Sequence, residues 1–175
     1  MKRQESNQAR QVAGMGILFA LAITLSFLEG LMPPFLPNGV RLGLSNVVTM
    51  YAVFLLGSVP ALILVVLKSL FVLLTRGYVS GLLSIAGGLL SVTLLCGILY
   101  CMGTRLRYMP ASMLGAVAHN MGQLAAAAYI LKLSSIFWYY LPVLVVAGII
   151  MGFLTSLVLR AVMPLLVTMT IRRPQ

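Results

Sequence analysis

From Val12 to Met163 the chain is a succession of long apolar runs, cut by short turns at Pro, Gly and charged positions. A ~30 Å hydrocarbon layer needs roughly 20 residues of helix, and the runs divide into about six such elements. The first covers Val12–Leu31. It is followed by MPPFLPNGVR (residues 32–41), a turn rich in proline with one Asn-Gly step. The second is expected over Leu42–Leu56, and Gly57-Ser58-Val59-Pro60 breaks the chain so that Pro60 stands at a helix start. The third runs over Ala61–Thr75, the fourth over Ser80–Met102, the fifth over Ala111–Leu131 and the sixth over Phe137–Met163. The second and third are short, so five spans is the rival count. The expected fold class is all-α, a polytopic membrane helical bundle. One domain, residues 12–163, lies between basic tails at residues 1–11 and 164–175.

Composition sharpens the picture. Hydrophobic residues make up 61% of the 175 positions and charged residues 8%, with a mean hydropathy of +1.08. A chain this small cannot hide that much apolar side chain in a water-soluble globule, so its solvent is expected to be lipid. The net charge of +10 does not make a nucleic-acid surface, because the basic residues sit at the chain ends and in turns. With the N-terminus in the cytoplasm and six spans, the cytoplasmic face carries Lys2, Arg3, Arg10, Arg105, Arg107, Arg160, Arg172 and Arg173. The outer face carries Arg41, Arg76 and Lys132. Eight against three follows the positive-inside bias. Trp138, Tyr139 and Tyr140 have the character of an interfacial aromatic belt. Lys68 alone among the cations falls mid-span.

The polar residues inside the apolar runs carry the functional information, since an ionisable side chain near the bilayer centre costs at least ~2.5–3.5 kcal/mol. Glu29 closes the first helix, Arg41 and Asn46 open the second, Lys68 sits midway along the third, and His119, Asn120 and Gln123 lie in the fifth. His119 and Gln123 are four apart and share a helix face. Two readings follow. In one, these residues line a pocket for a small polar or anionic molecule. In the other, Glu29 pairs with Arg41, Lys68 snorkels, and the His-Asn-Gln group bonds helix to helix. Ala13, Gly16 and Ala20 make a small-residue stripe on the first helix, suited to close helix packing within the chain or against a partner subunit.

Missing chemistry narrows the field. The chain has two Glu and no Asp, so an Asp-held magnesium site is excluded. There is no Walker or dinucleotide glycine motif. One His and two Cys (Cys96 and Cys101) do not build a metal site. No cofactor is implied, and catalysis by this chain alone is not expected.

Residues 38–64 (NGVRLGLSNVVTMYAVFLLGSVPALIL), 86–95 (AGGLLSVTLL) and 114–127 (LGAVAHNMGQLAAA) together resemble the bacterial Gx transporter family, also labelled heptaprenyl diphosphate synthase component I. That family is similar to the substrate-binding S components of energy-coupling factor transporters. The resemblance implies a six-helix protein of the bacterial plasma membrane that captures a small molecule in its outward half. It also implies docking, through small residues of helix one, on a membrane coupling subunit that carries cytoplasmic ATPases. Prenyl diphosphate synthesis relies on aspartate-held magnesium, so under the synthase label the chain would be an accessory. Some relatives are associated with quinone- and flavin-linked electron transfer, which leaves a redox subunit as a third class.

Overall fold

A computed structural model describes residues 2–31, 45–102, 108–132 and 134–171. Among them are six helices: α1 (Lys2–Leu31), α2 (Asn46–Leu55), α3 (Ser58–Arg76), α4 (Tyr78–Met102), α5 (Tyr108–Leu131) and α6 (Ser134–Ile171). The helices α1, α3, α4 and α6 contain stretches long and apolar enough to cross a membrane. The helix α5 is 24 residues long but carries His119, Asn120 and Gln123. The protein is a helical membrane bundle.

Both outer helices run further than the spans expected from the sequence. The helix α1 takes in residues 2–11, a polar run of Lys, Arg, Gln, Glu, Ala, Ser and Asn with no Gly or Pro, most of them good helix formers. The helix α6 continues through Pro164 to Ile171. A proline in a membrane helix is tolerated because neighbouring groups satisfy the carbonyl it frees.

A glycine marks the turn on either side of α3. Gly57 (φ 91°) separates α2 from α3, and Gly77 (φ 88°) separates α3 from α4. Both have the left-handed φ that a residue with a Cβ adopts only with strain. With no loop to spend, α3 and α4 fold back directly on each other. A Cβ on Gly81 would meet Leu73 Cβ at 2.6 Å, and one on Gly88 would meet a Val65 methyl at 2.6 Å. These contacts fix an antiparallel hairpin. Gly122 against Ala86 does the same for α4 and α5, and Gly148 against Val117 for α5 and α6. Small residues at the crossings let helix backbones approach where no hydrophobic effect drives them together.

The short helix α2 touches every other helix. At ten residues it is about 15 Å long and too short to span a bilayer alone. Its Val48, Met50, Tyr51, Ala52 and Val53 are buried and form the centre of the main core. Leu18 and Ala22 of α1, Leu64 and Val65 of α3, and Val92 and Leu95 of α4 pack around them. That core occupies one half of the bundle. A smaller cluster joins Leu124 and Leu144 to Phe137, Tyr140 and Leu141.

Inside and outside are inverted relative to a water-soluble protein. Leu70 and Leu74 of α3, Leu90 of α4, and Ile150 and Phe153 of α6 are exposed, while Glu29, Lys68, His119 and Gln123 are buried. Lipid accepts the first group, and only the protein interior can accept the second. Trp138 and Tyr139 are exposed at the start of α6, each stacked edge-on against a neighbouring ring. Cys96 is half-buried, Cys101 exposed, and both thiols are free.

Candidate functional site

The half of the bundle without the apolar core holds a polar recess where four helices and the residue preceding α2 converge. The helix α1 contributes Ser26 and Glu29, and the residue before α2 contributes Ser45. Lys68, Val72 and Arg76 come from α3, Ser80 and Ser84 from α4, and His119 and Gln123 from α5. Helical spacing explains the α3 set, because positions 68, 72 and 76 are four apart and share one face. The Gly77 turn then returns the chain so that positions 80 and 84 of α4 face them.

The polar groups are buried and partly cross-linked. Lys68 is only 2% exposed, and Glu29 lies within electrostatic range of its ammonium. The Arg76 guanidinium donates through Nη2 to the Ser26 carbonyl, tying α3 to α1. Ser69 Oγ donates to Ser84 Oγ at 3.1 Å. His119 Nε2 and Gln123 Nε2 are 2.7 Å apart. His119 Nδ1 has no hydrogen-bond partner among the described residues. The Gly87 backbone lies against the same ring, and a Cβ there would stand 3.0 Å from His119 Cε1. The room open to the centres of water-sized molecules is about 30 Å³, enough for about two waters. A larger guest requires the surrounding helices to part.

Gly87 sets the position of the α5 groups. A Cβ there would stand 2.7 Å from the His119 carbonyl and 2.8 Å from Gln123 Cγ. The α4–α5 approach that brings His119 and Gln123 to the recess therefore depends on bare backbone at this crossing.

The polar residues singled out in the sequence do not all meet. Glu29, Lys68, His119 and Gln123 line the recess together. Lys68 does not snorkel to an interface. Asn120 does not line the recess. Its Nδ2 donates to the Leu144 carbonyl of α6 at 3.0 Å, so it joins two helices. Asn46 is buried beside Ser45, and neither its Oδ1 nor its Nδ2 has a partner among the described residues. Arg41, and with it the expected Glu29–Arg41 pairing, lies outside the described residues. Ala13, Gly16 and Ala20 are exposed, with no atom within 4 Å of where a Gly16 Cβ would be. Arg76 was expected in an outer loop. The one-residue turn keeps it in the helix and at the recess. Its four-residue steps from Lys68 were the available signal, together with Ser80 and Ser84 beyond.

Asn120→Leu is expected to loosen the α5–α6 contact by about 0.6–2 kcal/mol, the range of interhelical polar bonds in membranes. Ligand retention should stay unchanged. Unfolding in mixed micelles, followed by circular dichroism, measures the first, and native mass spectrometry the second.

The sequence model of the family described as heptaprenyl diphosphate synthase component I matches residues 18–162. The chain belongs to this family. The match runs from the apolar part of α1 into α6 and includes every residue of the recess. No curated protein and no solved structure matches the chain.

Proposed function

We propose that this protein is a multi-pass subunit of the bacterial plasma membrane, N-terminus in the cytoplasm, that binds a small polar or anionic molecule for uptake. The observation that carries the proposal is the recess: two cations, a carboxylate, an imidazole and four serines gathered from five segments of an apolar bundle. Holding ionisable groups at such depth is costly, and the groups found there ordinarily serve a pathway or a ligand. Lys68 and Arg76 attract the negative end of the guest, and Gln123 and the serines give direction to its hydrogen bonds. The helix α1 packs mainly on α2 and α3 and supplies Ser26 and Glu29. It is the element whose displacement opens the recess most readily.

The chain has no nucleotide-binding motif, so energy comes from a membrane coupling subunit with cytoplasmic ATPases. The exposed Ala13-Gly16-Ala20 face of α1 is the contact surface for that subunit. Catalysis has no place in this reading. The family's description favours a second one, an accessory to a prenyl diphosphate synthase. Affinity purification from native membranes separates the two. Uptake predicts a membrane subunit and ATPases bound to the wild type and lost from Gly16→Leu. A soluble prenyl synthase, with no ATPase, supports the accessory role and overturns uptake.

A further inference from the structure

We infer that helix α1 is the gate of the recess. It turns on an apolar pivot at Leu18 and Ala22 and is held shut by a polar clamp, in which Ser26 and Glu29 of α1 meet Arg76 and Lys68 of α3. This rests on the recess being a ligand site and adds how that site opens.

One face of α1 changes character along its length. Leu18, Ala22, Ser26 and Glu29 are all buried, and their steps of four, four and three put them on one side of the helix. Leu18 and Ala22 belong to the main apolar core. Ser26 and Glu29, in the last two turns, line the recess. The Arg76 guanidinium donates to the Ser26 carbonyl, and Glu29 acts electrostatically on the Lys68 ammonium. The helix dipole also favours a cation this close to the C-terminal end of α1. Water or a polar guest can take over bonds of this kind, so opening at this end exchanges one set of hydrogen bonds for another. It offers nothing to replace the packing of Leu18 and Ala22, and that part of α1 stays in place.

The helices behind the recess are built to hold still. The crossings of α3 on α4, α4 on α5 and α5 on α6 pass through Gly88, Gly122 and Gly148. A Cβ added there would lie 2.6 Å, 2.8 Å and 2.9 Å from its nearest neighbour. On α1, by contrast, a Cβ at Gly14 or Gly16 would have no atom within 4 Å. Phe27 and Leu28 are exposed in the same two turns as the clamp. Lipid surrounds them before and after a swing, so moving this end of α1 costs them no apolar contact.

The test uses the full-length protein in lipid nanodiscs, with Cys96→Ala/Cys101→Ala as background. Nitroxide labels on Leu28→Cys and Tyr129→Cys, both at exposed positions, report the α1–α5 distance by double electron–electron resonance. Labels on Leu74→Cys and Tyr129→Cys give an α3–α5 reference. Arg76→Gln removes one half of the clamp. Glu29→Gln/Lys68→Gln removes the other and leaves both positions neutral. Each is expected to add a longer α1–α5 distance and to raise the ratio of open to closed populations about tenfold, with the reference pair unchanged. In the same background Ser84→Cys, in the recess wall, should react about tenfold faster with a water-soluble thiol reagent once either half of the clamp is gone. An unchanged α1–α5 distance, or unchanged Ser84→Cys reactivity, in both variants would overturn the inference. A reference pair that shifts equally would overturn it too, because the whole bundle has then loosened. A guest retained by the wild type in native mass spectrometry leaves uptake standing in either case.

Discussion

Lys68→Met is expected to lower the stability of the folded protein by about 3–5 kcal/mol, the cost of leaving a buried charge without its partner. Lys68 and Glu29 are both buried, lie on different helices, and act on each other electrostatically. Removing the ammonium takes away a cation that acts directly on the Glu29 carboxylate. Glu29→Gln/Lys68→Met should recover much of the loss, because the carboxylate that lost its cation is then gone too. Resistance to unfolding in mixed micelles measures both. Equal destabilisation by the single and double variants would mean that Glu29 and Lys68 act independently.

Gly122→Ala is expected to cost about 1–3 kcal/mol, the range for forcing an extra methyl into a packed interior. The new Cβ would stand 2.8 Å from the Ala86 carbonyl oxygen and 2.9 Å from Gly87 Cα. Both are backbone atoms, so no side chain can swing aside and α5 has to move off α4. His119 and Gln123 move with it, one turn or less away along the same helix. The variant therefore weakens ligand capture as well as stability. Gly97→Ala, on the same helix as Gly87 but with nothing within 4 Å of its Cβ position, provides the control. It should leave both unchanged.

Much of the architecture can be read from the chain because membrane helices announce themselves as apolar runs and end at charged, Gly and Pro positions. What the runs do not give is how α2 is used. Residues 46–55 look like a short span, yet they form a plug on which the other helices pack, and only tertiary contacts distinguish the two. The helix at residues 2–11 escapes a reading by hydropathy because that run is polar, and the helix at 164–171 runs on past Pro164, which reads as a stop in sequence.

The recess is legible in a similar, partial way. Lys68, His119 and Gln123 stand out because polar residues are scarce in their surroundings. Which of the adjacent His119 and Asn120 faces inward is not legible, because neighbours on a helix point about 100° apart. The rotation of α5 against α4 decides it. That rotation is set by Gly87 and Gly122, which carry no side chain to signal their role. Arg76 was hidden for the opposite reason: a charge at the end of an apolar run has the look of a loop residue, and the single-glycine turn at position 77 makes it part of the site.

Native mass spectrometry of the protein released gently from its own membranes tests the central claim most directly. One small anionic molecule should be retained by the wild type and absent from Glu29→Gln/Lys68→Gln. A fully folded wild type with no retained molecule, or the same molecule held equally by the double variant, would contradict it.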